Sequence, residues 1–251
     1  MNDRHVVITG GGTGIGAAIA RSLATQGARL TLMGRRLEPL QQLAGELRDA
    51  RAVSCDVSDE RSVGDAFSRA ATELGPVDIL VNNAGAAPTS PFHKLDASDW
   101  RAVMSVNLDG VFNCTRAAIP GMLEQGWGRI INIASTAARR GYAYVSAYSA
   151  AKHGVLGLTR SLALETARKG ITVNAVCPGY TDTDIIRDSV ALIMQKTGRS
   201  EEDALAEFTR VNPQGRLIQP EEVAATVLWL CSEQARSVTG QAISVSGGEL
   251  M

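Results

Sequence analysis

Short apolar runs without polar alternation recur along this chain, each separated from the next by a stretch of helical periodicity. HVVIT at 5–9, RLTLM at 29–33, ARAVSCDV at 50–57, VDILVNN at 77–83, RIINIA at 129–134 and ITVNAVC at 171–177 are the β-rich runs. A strand apolar on successive residues buries both faces, which a parallel sheet covered by helices provides. Helical patterns fill the gaps: GIGAAIARSLATQG, LEPLQQLAGELRD, a segment around 59–73, a long helix starting near Asp99, AAKHGVLGLTRSLALE within 147–168, and PEEVAATVLWLC. Strictly alternating strands and helices predict an α/β fold, a doubly wound parallel sheet. No linker, repeat or low-complexity tract interrupts the pattern, so 1–251 reads as a single domain with ample apolar content (45% hydrophobic) for its core.

The remaining composition narrows the function classes. A net charge of −1 gives no support to nucleic-acid or membrane-surface binding. No apolar run approaches the roughly 18 residues that a spanning helix needs. The first strand begins at about His5, leaving no room for a signal peptide. Cys55, Cys114, Cys177 and Cys231 are far apart, without CxxC spacing, and read as buried free thiols. His5, His93 and His153 are equally dispersed, so no metal site is expected. A cytoplasmic setting follows.

One segment breaks the rhythm. From about 181 to 216 the chain is polar and partly helical, between ITVNAVCPG and the last helix. An insertion after a strand end is where α/β proteins place substrate loops, so a substrate lid is expected there.

Two motifs carry chemistry. TGGGTGIG at 9–16 follows the first strand and opens a helix. Glycines at that junction allow a tight turn and let the backbone approach a pyrophosphate at the helix N-terminus. Tyr148 and Lys152 are spaced i, i+4 in YSAAK, with Ser135 upstream at the end of RIINIAS. On a helix the two share one face. An ammonium beside a phenol favours the phenolate and lowers a pKa that is ordinarily about 10. A phenol tuned this way can exchange protons near neutral pH.

With these motifs, CDV at 55–57, NNAG at 82–85, Asn107 in SVNLDG and PGYTDT at 178–183, the sequence resembles the compact branch of the short-chain dehydrogenase/reductase family. The resemblance implies a Rossmann-like fold and an NAD(P)(H)-dependent oxidoreductase that interconverts a ketone and a secondary alcohol. It implies Tyr148 as the proton donor in reduction and the base in oxidation, with Ser135 holding the same oxygen. Lys152 would tune Tyr148 and bind the nicotinamide ribose. Asn107 would help connect Lys152 to solvent. Gly10, Gly12, Thr13, Gly14, Ile15 and Gly16 would surround the pyrophosphate, and Asp56 and Val57 the adenine. Asn83, Ala84 and Gly85 would line mid-cleft, with Pro178, Gly179, Thr181 and Thr183 along the nicotinamide and its phosphate.

NADP(H) is favoured, with NAD(H) the alternative. An acid ending the second strand would accept from the ribose 2′-hydroxyl of NAD. Here Gly34 stands in its place, followed by Arg35 and Arg36. A guanidinium pairs well with a 2′-phosphate, which makes Arg35 the expected contact. Thr13 departs from the many NADP-preferring relatives that carry a basic residue before the second glycine.

The C-terminal half resembles 3-oxoacyl-thioester reductases, 3-hydroxyacyl-CoA dehydrogenases and polyketide ketoreductases. A small-molecule 3-oxoacyl or 3-hydroxyacyl thioester is therefore the expected substrate. Arg139 or Arg140 is expected to meet a CoA phosphate. Carrier-protein reductases place two basic residues at a docking rim; the matching positions here are Gly126 and Lys169, which favours CoA over a carrier protein. The apolar lid positions Ile185, Ile186, Val190, Leu192, Ile193 and Met194 suit an acyl or ring-bearing substrate. Relatives of this size are commonly tetramers that pair the helices near 99–124 and 147–168. The competing readings are another carbonyl substrate (sugar, steroid or cyclic ketone), epimerisation or dehydration on the same fold, and a non-catalytic nucleotide sensor.

Overall fold

The computed structural model describes residues 1–250. Seven strands form one sheet: β1 (His5–Thr9), β2 (Arg29–Gly34), β3 (Ala50–Ser54), β4 (Ile79–Asn82), β5 (Gly128–Ile133), β6 (Ile171–Pro178) and β7 (Ala242–Val245). Their order is β3-β2-β1-β4-β5-β6-β7, and every neighbouring pair is parallel. All residues of β1, β4, β5 and β6 are buried. Edge strand β7 is only half-buried, as a strand with one neighbour should be.

The pleat explains why these strands are apolar on successive residues. Val6, Ile8, Leu30, Leu32, Ile79 and Val81 face one helical layer, with α1 (Gly14–Ala24), α2 (Leu37–Glu46) and α9 (Pro220–Cys231). Val7, Met33, Leu80 and Ile130, one residue out of phase, face the other. That layer holds α3 (Glu60–Leu74), α4 (Ala97–Met104), α5 (Gly110–Gln125) and α6 (Ser146–Thr166). Each fully buried Leu or Ile contributes about 1.5–3 kcal/mol. All four cysteines are buried free thiols.

The long helix near Asp99 is not continuous. α4 and α5 are joined by one π-helical turn, Ser105–Asp109, with Asn107 fully buried inside it. Such a turn leaves a carbonyl without its usual partner, and an amide side chain can supply one.

The segment after β6 folds into α7 (Asp184–Thr197) and α8 (Glu201–Thr209). They form a small core of their own around Ile186, Val190 and Ala204, with Ile193, Met194 and Phe208 packed against it. Four of the six apolar lid positions thus serve this internal core, and only Ile185 and Leu192 are exposed. A helical pair away from the sheet must bury its own apolar stripe to stay folded.

Candidate active site

The chain reverses direction across the sheet between β1 and β4, and a crevice opens at the carboxyl ends of these central strands. The glycine turn enters it from β1. Gly10 has φ +62°, a left-handed conformation, and an added Cβ would lie 2.9 Å from Asn83 Nδ2. Gly16 lies under the turn, where a Cβ would come within 2.2 Å of the Gly10 carbonyl oxygen. Thr13 occupies the N-cap of α1 without a side-chain cap, and the first turn holds no acidic residue. The N–H groups and positive dipole end of α1 are thus open to an anion, as a dinucleotide pyrophosphate requires.

Asn83 stitches the crevice together. Its Nδ2 donates to the carbonyls of Thr9 and Gly10, both at 3.0 Å. Thr9 returns the connection, its Oγ1 accepting from the backbone N–H groups of Asn83 (3.0 Å) and Ala84 (3.1 Å). Thr9 was not among the expected contacts; its place at the strand end, beside the glycines, was the available signal. Beneath them runs a buried polar chain that the sequence did not reveal. Asn82 donates to Asn132 at 2.9 Å and Thr115 at 3.1 Å, and Asn132 donates to Thr159 at 2.9 Å. It fixes β4 and β5 against α5 and α6.

Ser135 follows β5 and caps the short turn Thr136–Ala138, its Oγ accepting from the Ala137 N–H at 3.1 Å. Tyr148 lies in the first turn of α6, half-buried, and Lys152 lies one turn further, 3% exposed. Lys152 Nζ donates to the Ile133 carbonyl at 2.8 Å and sits 5.6 Å from the Tyr148 ring centroid. Burial drives the Lys152 pKa down to about 8. Burial raises the Tyr148 pKa, and the hydrogen bond with Ser135 pulls it back. Burial thus sets the direction of the Tyr148 shift, while the Lys152 ammonium, with one of its three N–H groups on the Ile133 carbonyl, stays one helical turn away.

Asn107 reaches the same place from the π turn. Its Nδ2 donates to the carbonyls of Val103 and Ala86, both at 2.9 Å, and its Oδ1 accepts from the Ala86 N–H at 3.3 Å. A Cβ on Gly85 would meet Asn107 Oδ1 at 2.9 Å and Lys152 Nζ at 3.7 Å. Glycine there keeps the floor between the two polar groups clear.

The other expected contacts sort by where they point. Gly12 belongs to the turn, Gly14 and Ile15 open α1, and Thr183 abuts Gly14, its Cγ2 lying 3.1 Å from where a Cβ would be. Asp56 lies at the crevice edge with its carboxyl held low, chiefly by the Ser58 hydroxyl and also by Arg35. Val57 is buried against Gly110, so only its backbone can face the crevice. Pro178 ends β6 and Gly179 follows it, but Thr181 is buried with its hydroxyl donating to the Gly179 carbonyl at 3.0 Å. Arg35 and Arg36 are exposed beyond β2. Arg139 donates to Ser244 at 2.7 Å, while the Arg140 guanidinium stacks 4.7 Å from the Tyr142 ring centroid. Gly126 and Lys169 precede β5 and β6, at the opposite end of the sheet from Ser135. Among the described residues, no cluster of three or more His, Cys, Asp or Glu could hold a metal ion. No described helix is long and apolar enough to cross a membrane.

This crevice, turn and Ser/Tyr/Lys set define a dinucleotide-dependent oxidoreductase. Residues 4–191 match the family described as short chain dehydrogenase, and the chain belongs to that family. It is 43% identical over 251 residues to the cis-4-hydroxycyclohexanecarboxylate dehydrogenase of Sinomonas cyclohexanicum, covering 98% of this chain and 96% of that protein. It is 40% identical over 253 residues to the acetoacetyl-CoA reductase of Rhizobium meliloti (strain 1021), covering 98% of each. A crystal structure of a single-substitution variant of actinorhodin polyketide ketoreductase with NADPH superimposes with a TM-score of 0.94 at 40% identity, covering 98% of this chain and 97% of that one. The chain is accordingly an oxidoreductase acting on the ketone/secondary-alcohol couple.

Proposed function

We propose that the protein interconverts a 3-oxoacyl and a 3-hydroxyacyl thioester, preferably of CoA, with NADP(H). The observation that carries this reading is the convergence of Ser135, Tyr148 and Lys152 beside an open helix N-terminus and the glycine turn. The likeness to an acetoacetyl-CoA reductase supports the thioester, and the likeness to an NADPH-bound ketoreductase supports the cofactor. Exposed Arg35 after Gly34, where NAD-preferring proteins carry an acid, supports the same choice.

The residues present fit a dinucleotide: uncapped N–H groups of α1 for the pyrophosphate, Asp56 at the adenine edge, Lys152 for the ribose hydroxyls. The bound nicotinamide supplies or accepts the hydride. In the reducing direction the Ser135 hydroxyl holds the carbonyl oxygen. Tyr148 delivers its proton to that oxygen as negative charge develops there. A phenol whose pKa burial keeps high retains its proton until that charge appears. Lys152, with a pKa of about 8, is largely protonated at neutral pH and stabilises the phenolate left behind.

A second reading, a cyclic ketone, is favoured by the Tyr180–Phe208 edge-to-face pair near the crevice, with ring centroids 5.1 Å apart. Exposed Phe112 and Leu123 on α5 and Leu164 on α6 support a homotetramer built on those helices. Four buried free thiols suit the reducing cytoplasm.

The deciding experiment is the initial rate of NADPH and NADH oxidation with acetoacetyl-CoA. Turnover preferring NADPH supports the reading. NADH-only turnover overturns the cofactor, and turnover confined to cyclic ketones moves the assignment to the second reading.

A further inference from the structure

An aromatic wall runs from the catalytic loop to the lid. Tyr142 lies between Ser135 and Tyr148 in sequence, in the loop that leads from Thr136–Ala138 into α6. Its ring meets Tyr180, just beyond β6, edge-on at 6.4 Å between centroids and 72°. Tyr180 meets Phe208 of α8 in the same manner at 5.1 Å and 75°. All three rings are half-buried and keep part of their surface open.

The wall has one polar anchor. The Tyr142 hydroxyl donates to Glu249 Oε1. The other carboxylate oxygen lies over Gly179, where a Cβ would come within 3.0 Å, so the residue after β6 has to be small. Burial, then the bond to Glu249, raises the Tyr142 pKa, so the phenol stays neutral. With its proton directed at Glu249, the phenolic oxygen presents lone pairs, and it acts toward a substrate as an acceptor. The cations nearby are placed differently. Arg139 is held by Ser244, and Arg140 lies over the Tyr142 ring at 4.7 Å while remaining exposed.

We propose that Tyr142 and Glu249 select the substrate: Tyr142 accepts a hydrogen bond from an N–H on the arm beyond the reacting ketone, and Glu249 rejects substrates carrying a free carboxylate. The inference rests on the ketone-reductase reading above and narrows it. A thioester of CoA carries amide N–H groups on its pantetheine arm and no carboxylate beside the ketone. A free 3-oxo acid offers the reverse: no donor, and a charge that the Glu249 carboxylate repels. The pair therefore assigns the cleft to thioesters over free 3-oxo acids.

Three ketones isolate the two effects: the acetoacetyl thioester of N-acetylcysteamine, the acetoacetyl thioester of ethanethiol, and acetoacetate. The wild type is expected to prefer the first over the second, and the second over the third, each by about tenfold in kcat/KM, the worth of one hydrogen bond or charge contact at a half-open site. In Tyr142→Phe the first ratio collapses toward one. In Glu249→Gln the second ratio collapses, through a lower KM for acetoacetate. Binding of NADPH, read by its fluorescence, establishes that both variants are folded. A wild type that prefers acetoacetate, with that preference lost in Arg140→Ala, makes Arg140 a carboxylate anchor and overturns the proposal. Unchanged ratios in both variants also overturn it while leaving the ketone-reductase reading intact. Failure of the wild type to reduce any of the three, with NADPH bound, removes the 3-oxoacyl reading and this proposal with it, leaving a cyclic ketone as the substrate.

Discussion

Asn107 and Ala86 exchange two hydrogen bonds, Nδ2 to the Ala86 carbonyl at 2.9 Å and the Ala86 N–H to Oδ1 at 3.3 Å. One side chain thus stands in for a strand of backbone, while its second N–H satisfies the Val103 carbonyl at the π turn. Asn107→Leu leaves these groups without partners. Its expected cost is about 1–3 kcal/mol in stability, measured by urea unfolding, together with a fall in turnover as Lys152 loses its neighbour. Equal stability in the variant would show that the π turn does not need the amide.

Tyr148→Phe removes the proton donor while keeping the ring. Turnover should fall roughly a hundredfold or more with cofactor binding largely retained. A variant with near-normal turnover takes Tyr148 out of the mechanism.

Lys152 has its pKa lowered by burial from 10.5 to about 8. Between those values the unfolded chain binds more protons than the folded one, so stability contributed by this site rises with pH across that window. The cost of the buried ammonium is therefore fully present below about pH 8. Lys152→Met should be inactive and should lack this rise. Urea midpoints of both proteins at pH 7.5 and pH 10 test it; parallel slopes would count against a depressed Lys152 pKa.

His5 is fully buried in β1, with Nδ1 2.7 Å from the Gly75 carbonyl and Nε2 2.9 Å from Thr31 Oγ1. The carbonyl can only accept, so Nδ1 donates and Nε2 accepts from the threonine. Desolvation lowers the His5 pKa below 6.5. Below that ordinary value the unfolded chain takes up the proton and the folded one resists it, so stability falls as pH drops. His5→Gln should flatten the loss in urea midpoint between pH 7 and pH 5. An unchanged acid slope would place the loss elsewhere.

Arg35 is exposed, yet its charge reaches Asp56 at the crevice edge. Arg35→Ala should raise the KM for NADPH by about tenfold or more and leave NADH nearly unaffected, the signature of a lost charge-assisted contact. Equal effects on both cofactors would mean that Arg35 does not meet a 2′-phosphate.

The strand order and helix layers were readable because β1, β4, β5 and β6 are buried on both faces and their sequences show it locally. The Ser135, Tyr148 and Lys152 positions were legible for a similar reason: each is placed by one strand end or one helix face. What escaped notice was written across distance. Asn82 meets Asn132 and Tyr142 meets Glu249 only after the sheet has assembled, so no local spacing announces either pair. The lid shows a further limit. Ile186 and Val190 of α7 read as apolar residues for a substrate, yet periodicity cannot say which apolar surface will cover them, and they pack with Ala204 and Phe208 of α8.

Thr9 and valine have nearly the same shape and similar strand propensity, yet they are not interchangeable at the end of β1. The hydroxyl of Thr9 takes the N–H groups of both Asn83 and Ala84. The end of β1, beside the glycine turn, and the middle of the crevice are thereby joined at a single oxygen atom. α7 and α8, by contrast, carry their own small core apart from that joint. The end of β1 therefore serves two backbone groups with one side-chain atom, a role that the methyl of a valine cannot take.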